Sequence, residues 1–252
     1  AILIATGVYK PKSNNLNKKK LSNIIPAMKF LTASNKKGLK DKVIEFDNGK
    51  LNCFNKKILV IGGGDTAMDC VRTAIRQGAI SVKCLYRRDQ KNMPGSQREV
   101  FNAIEEGIEF NWLTLPVDYI GSENVKKVKV TKMQLGILDN SGRRISENIL
   151  GSEYEVETDM IIEALGFNPE NIPKLFNESN LEITKNGTLK IDFKTMMTSI
   201  EGVFAAGDIV RGASLVVWGI KDGRDAAINL NNYLKEKNLS YNYKNNNEFS
   251  DV

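Results

Sequence analysis

The sequence predicts an α/β protein organised around a parallel sheet, on three observations. Residues 57–61, Lys-Ile-Leu-Val-Ile, make the short apolar run of a strand buried on both faces. The glycine turn Gly62-Gly63-Gly64 follows at once, and residues 66–77 then read as a helix closed by Gly78. Residues 81–86 read as a second strand, 99–106 as a helix ended by Gly107, and 108–115 as a third strand, which is the β-α-β-α-β order of a parallel sheet.

In chain order, residues 1–5 are an apolar strand followed by Thr6-Gly7. The chain opens in mid-strand, without an initiator Met or a signal-peptide pattern, and is expected to be a fragment whose N-terminal portion is missing. Residues 11–20 are polar and loop-like. Residues 24–31, with Ile25, Met28, Phe30 and Leu31 apolar, are expected as a short helix, 34–42 as a basic loop, and 43–51 carry no clear pattern.

The central unit then carries a ligand signal. Gly62, Gly64 and Ala67 occupy the three fixed positions of the G-x-G-x-x-G/A dinucleotide fingerprint. Gly62 permits the tight strand-to-helix turn, Gly64 lets the backbone approach a pyrophosphate, and Ala67 lets the helix pack close to the strand. The helix start offers unpaired N–H groups and a positive dipole end to phosphates. On the motif alone, a glycine-rich turn without a ligand remains open. About twenty residues further on, where NAD-binding chains place an acid, this chain carries Arg87 and Arg88. Arginine there suits a 2′-phosphate through charge and bidentate hydrogen bonds; a solvated basic pair at a strand end is the other reading.

Residues 89–98 contain the turn Met93-Pro94-Gly95-Ser96. Residues 117–120, 125–138 and 152–158 read as edge or meander strands, with the turn Asp139-Asn140-Ser141-Gly142 between two of them. Residues 160–165 form another buried strand that runs into Gly166. A hairpin is expected over 181–191 around Asn186-Gly187. Residues 203–206 are a last short strand, followed by Gly207-Asp208. Residues 214–234 are the last long helix, and 238–252 a polar tail expected to be disordered.

Composition narrows the function classes. The 252 residues give room for one large or two modest domains. Hydrophobic residues at 41% and charged residues at 26% are ordinary for a globular chain, and no apolar run approaches the roughly 18 residues of a membrane span. The net charge of +6 sits largely in the Asn/Lys-rich stretches 14–20 and 35–42, a bias spread over loops, so neither a nucleic-acid nor a membrane partner is expected. Cys53, Cys70 and Cys84 are widely spaced, without C-x-x-C, so they encode neither a redox pair nor an iron–sulfur cluster and read as reduced residues of a cytoplasmic protein. The chain has no histidine, which excludes His-based triads and His-ligated metal sites, and no metal site is expected.

Four signals stand in order: Ala5-Thr6-Gly7, Gly62-x-Gly64-x-x-Ala67, Ala164-Leu165-Gly166 and Ala206-Gly207-Asp208. This order resembles the flavoprotein oxidoreductases with two dinucleotide-binding domains, the thioredoxin-reductase-like group. More narrowly, Cys84-Leu85-Tyr86-Arg87-Arg88-Asp89-x-x-Asn92-Met93-Pro94-Gly95-Ser96 and the run 202–218 resemble the small (β) subunits of bacterial NADPH-dependent glutamate synthases, over Ala1 to about Asn232.

The resemblance implies a Rossmann-like three-layer NADPH-binding domain inserted in a partial FAD-binding domain. Residues 1–10 then end the first part of the FAD-binding domain and 11–200 form the NAD(P)H-binding domain. Residues 201–236 supply the C-terminal part of the FAD-binding domain, and 237–252 are the polar tail. The implied activity is electron input: hydride passes from NADPH to FAD, and electrons pass through iron–sulfur clusters to a large (α) subunit that forms glutamate from glutamine and 2-oxoglutarate. The family's cysteine-rich region and first glycine fingerprint are absent here. FAD is therefore expected to need the missing N-terminal half, and 4Fe-4S clusters belong only to the full-length complex. A bifurcating NADPH–ferredoxin oxidoreductase subunit and dihydropyrimidine dehydrogenase share these motifs, and a non-catalytic dinucleotide-binding module is a further reading; the final electron acceptor follows from the resemblance alone.

Hydride transfer between a nicotinamide and a flavin needs no protein nucleophile, so no catalytic residue is assigned. Gly62, Gly63, Gly64, Asp65, Thr66 and Ala67 are expected to form the pyrophosphate loop, with Asp65 either stabilised at the helix start or a direct ligand. Gly166 is expected beside the dinucleotide. The resemblance gives Gly207 and Asp208 to the ribityl chain of FAD. It sets the helix start at Ser214, Leu215 and Val216 against the pyrimidine edge of the isoalloxazine, where backbone N–H groups stabilise negative charge. Trp218 reads as packing or as a stacking partner. Met93-Pro94-Gly95-Ser96 is expected to order the loop carrying Arg87 and Arg88, and Arg98 to add a phosphate contact.

Overall fold

The strand Lys57–Ile61 lies at the centre of a five-stranded parallel sheet in the computed structural model. The strand order is Ile24–Pro26, Met160–Glu163, Lys57–Ile61, Ser81–Tyr86, Glu109–Trp112. The structure describes residues 1–138 and 144–248, with side chains as far as 238. The expected turn Asp139-Asn140-Ser141-Gly142 lies outside the described residues.

Strand period explains the layers of this unit, Pro11–Gly166. Ile58 and Val60 point to one face, where they join Met68, Val71 and Ala74 of the helix Asp65–Arg76 and Val100 and Ala103 of the helix Gln97–Glu105. Leu59 and Ile61 point to the other, where they meet Tyr119, Val128 and Val130 of an antiparallel sheet. That sheet comprises Thr114–Gly121, Val125–Leu138 and Tyr154–Glu157, with Arg144–Asn148, which the sequence reading missed, paired to the long strand. Helices, parallel sheet and antiparallel sheet therefore form three layers around two apolar cores.

Two local expectations are corrected. Residues 24–31 are not a helix throughout. Ile24 and Ile25 are β-branched and pair with Ile161 and Ile162 as an edge strand, and the helix begins only after Pro26, over Ala27–Gly38. Phe30 and Ala33 bury one face of that helix, and Lys36 and Lys37 sit favourably at its C-terminal dipole end, so it absorbs much of the expected basic loop 34–42. The third strand ends at Trp112 because Leu113 turns the chain with φ +50° into the antiparallel sheet.

The second unit comprises Ala1–Lys10 and the chain from Phe167 onward. Residues 167–200 thus group with the terminal segments, where the sequence reading had placed them with the central domain. Ile2–Ile4 pairs in parallel with Val203–Ala205. The hairpin at Asn186-Gly187 closes through Thr184 N–H to the Thr188 carbonyl at 2.8 Å and a bridge between Ile183 and Leu189. A short helix, Asp208–Arg211, precedes the final helix Val216–Glu248. The tail expected to be disordered from Asn238 is helical to Glu248, and 249–252 lie outside the described residues.

Candidate functional site

The C-terminal ends of Lys57–Ile61, Ser81–Tyr86 and Met160–Glu163 open on a cleft of about 590 Å³. Gly62, Gly63, Gly64 and Thr66 form its floor, Arg87 and Arg88 one side, and Gly166 the other. Seven residues predicted from three separate stretches of sequence are thereby brought together. This is the end of a parallel sheet where helix N-termini and strand-end loops converge.

Gly62 has φ +151°, and a Cβ there would stand 2.3 Å from the Ala164 carbonyl oxygen, so the turn excludes any side chain. Gly64 caps the helix Asp65–Arg76, and no protein atom lies within 4 Å of where its Cβ would be. The loop therefore presents bare backbone to the cleft at a helix N-terminus, a fit to an anionic pyrophosphate. Ala67 does not line the cleft. It is fully buried against the strand, which is the close packing expected of it.

Asp65 does not line the cleft either. Its Oδ1 accepts a hydrogen bond from Ser96 N–H at 2.8 Å, while its own helix start has no side-chain cap. The arginines differ from each other. Arg87 is exposed; Arg88 is buried, its Nε donating to the Arg144 carbonyl at 2.8 Å. Arg98 is exposed and outside the cleft lining.

The sequence reading missed one wall, formed by Lys12, Ser13 and Asn14 with Leu115 and Pro116. Lys12 N–H donates to the Gly166 carbonyl at 3.0 Å. Asn14 Nδ2 donates to the Tyr119 hydroxyl at 2.7 Å, which donates to Glu163 Oε1 at 2.8 Å. Burial pushes the Glu163 carboxyl above the usual range, with hydrogen bonds from Tyr119 and Ser13 opposing. Nothing in a polar stretch such as 11–20 marks it locally as a wall. Cys84 Sγ donates to the Gly62 carbonyl at 3.4 Å, and burial pushes its thiol up to about 12. All three cysteines are free and buried.

The second unit holds the other predicted residues. Gly207 has φ +77°, and Asp208 Oδ1 accepts from Ser214 Oγ at 2.7 Å. Leu215 and Val216, at the start of the final helix, are exposed apolar residues. Trp218 packs on the Arg211 guanidinium, 4.9 Å from ring centroid to the carbon. Among the described residues no helix is long and apolar enough to cross a membrane, and no group of metal-ligating side chains is found.

Comparison with known proteins gives the family and the fold. The chain is 55% identical over 237 residues to the glutamate synthase [NADPH] small chain of Azospirillum brasilense, covering 94% of this chain and 49% of the relative. It is 40% identical over 240 residues to the corresponding small chain of Escherichia coli K12, covering 93% and 50%. The chain thus spans about half the length of these curated relatives. FprA of Mycobacterium tuberculosis in complex with NADPH has the same fold, with a TM-score of 0.76 at 16% identity, covering 96% of this chain and 65% of that one. Residues 1–223 match the pyridine nucleotide-disulphide oxidoreductase family, and the chain belongs to it.

Proposed function

We propose that this chain is the NADPH-binding part of a flavin-dependent oxidoreductase, the electron-input subunit of a glutamate synthase. The observation that carries the reading is the cleft at the sheet's C-terminal edge, where a bare glycine loop and helix start lie between Gly166 and two arginines. Bound together, a nicotinamide and a flavin supply a two-electron hydride transfer. The protein's part is to hold and orient. Gly63, Gly64 and Thr66 would offer backbone N–H groups to the pyrophosphate, while Gly62, whose N–H is engaged by the Leu85 carbonyl at 3.1 Å, makes the turn that lets it approach. Arg87 and Arg88 would take the 2′-phosphate, and Gly166 would lie beside the dinucleotide. Asp208 and Gly207 would hold the ribityl chain of FAD, with the helix start at Ser214, Leu215 and Val216 lending its positive end to charge developing on the flavin.

The high identity to two small chains supports a cytoplasmic assembly with a large (α) subunit, to which electrons pass through 4Fe-4S clusters for glutamate formation from glutamine and 2-oxoglutarate. The test is made on the full-length protein. Anaerobic NADPH should bleach a flavin absorbance that equal NADH leaves largely intact, and mass spectrometry of the co-purifying partner should identify the large subunit. A colourless full-length protein would defeat the reading, and a different co-purifying subunit would redirect it to another iron–sulfur oxidoreductase.

A further inference from the structure

The turn Pro94-Gly95-Ser96 lies across the glycine loop and is tied to it twice. Gly95 N–H donates to the Gly63 carbonyl at 2.9 Å, and Ser96 N–H donates to Asp65 Oδ1 at 2.8 Å. The approach is close: a Cβ on Gly95 would stand 3.1 Å from the Gly63 oxygen and 3.3 Å from the Gly64 carbonyl carbon. Gly95 lies outside the left-handed region, so space and not conformation selects glycine there. The other end of the turn is also held, by Tyr86 Oη donating to the Asn92 carbonyl at 3.0 Å and Asn92 N–H donating to Asp89 Oδ1 at 3.0 Å. Pro94 lines the cleft beside the glycines, whereas Asp65 does not.

A carboxylate next to phosphate-facing amides is electrostatically adverse unless it is engaged elsewhere. At the first helical position the dipole stabilises it, and its bond to Ser96 directs it to the turn. We propose that Asp65 is a positioning residue for the pyrophosphate of the bound dinucleotide: it draws the 94–96 turn over the glycine loop and fixes the loop amides before the ligand arrives. The inference rests on the dinucleotide reading above. Fixing the loop in advance removes ordering that binding would otherwise have to supply.

The test is equilibrium titration of the full chain with NADPH and with 2′-AMP, which has the adenosine 2′-phosphate but no pyrophosphate, together with amide exchange at Ser96. Asp65→Ala should weaken NADPH by about tenfold, as loss of a charge-assisted hydrogen bond does, speed exchange at Ser96, and leave 2′-AMP affinity unchanged. Asp65→Asn, whose side-chain oxygen still accepts from Ser96 N–H, should keep the wild-type affinity for NADPH. Gly95→Ala, which pushes the turn off the loop, should reproduce the loss and decides the matter if Asp65→Ala does not fold. Tighter NADPH binding in both Asp65 variants, a loss in Asp65→Asn equal to that in Asp65→Ala, or parallel loss of 2′-AMP overturns the proposal. Wild-type chain that binds neither ligand sinks the dinucleotide reading itself. Wild type and Asp65→Ala binding NADPH equally sinks the positioning role alone.

Discussion

Arg211 donates through both Nε and Nη2 to the carboxylate of Asp222, at 2.6 and 2.7 Å, and the Asp222 side chain is only 1% exposed. The guanidinium also lies 5.3 Å from the Phe193 ring centroid and 4.9 Å from that of Trp218. The pair ties the short helix Asp208–Arg211 to the first turns of the final helix. Asp222→Ala should strip Arg211, an exposed residue, of its bidentate partner and lower stability by about 1–2 kcal/mol, measured by urea unfolding. Arg211 hydrogen bonds hold the Asp222 carboxyl below the usual carboxylate range. A lowered folded-state pKa stabilises fully above the unfolded value, about 4, and the contribution is lost as pH falls through the folded value. The gap between wild type and Asp222→Asn should therefore narrow in acid; a gap independent of pH would contradict this account.

The two arginines of the cleft should separate on mutation. Arg87 is exposed and is not held by a hydrogen bond among the described residues, so Arg87→Ala should cost NADPH about 1.5–3 kcal/mol, roughly ten- to a hundredfold, and leave NADH unchanged. The NADPH loss should shrink with salt, since exposed charges are screened within about 10 Å at 0.1 M. Arg88 also holds the Arg144 carbonyl, so Arg88→Ala should lower stability by about 1–2 kcal/mol as well as NADPH affinity. Equal losses for NADPH and NADH in Arg87→Ala would falsify the phosphate role.

Gly62→Ala places a Cβ 2.3 Å from a backbone oxygen at φ +151°. Strain of this kind costs on the order of 1–3 kcal/mol, and the displaced turn should also abolish measurable nucleotide binding. Gly166→Ala meets no protein atom within 4 Å. It should disturb stability only through its φ of +85°, so its effect on NADPH titration reports on the ligand. Thermal melts and titrations of both variants separate the two contributions.

Glu163 supplies a second pH dependence, of opposite sign. Burial raises its carboxyl, so its charge opposes folding as pH rises through the folded-state value and has no effect where it is protonated in both states. Glu163→Gln should gain stability relative to wild type on going from acid to neutral pH. A variant that instead loses ground with rising pH would show that the Tyr119 and Ser13 hydrogen bonds outweigh burial.

The strand Lys57–Ile61, its glycine turn and the helix after it were legible because their information is local. An apolar run, three small residues at fixed spacing and a stop glycine each act through contacts within a few residues. The strand Ser81–Tyr86 and the arginines that follow it were legible for the same reason. Ile24–Pro26 was not, because two isoleucines suit helix or strand alike and only pairing with Ile161 and Ile162 selects the strand. Tertiary structure alone brought Lys12, Ser13 and Asn14 to the cleft, through bonds to Gly166 and Tyr119 more than a hundred residues away in sequence. It also divided the roles of Arg87 and Arg88, and gave Asp65 to Ser96. By itself the sequence determined the central strands of the parallel sheet, the glycine turn and the two arginines at a strand end, all set by residue type and spacing. Which side chains face the cleft and which are already engaged elsewhere depends on long-range hydrogen bonds and burial, and only the folded chain could decide it.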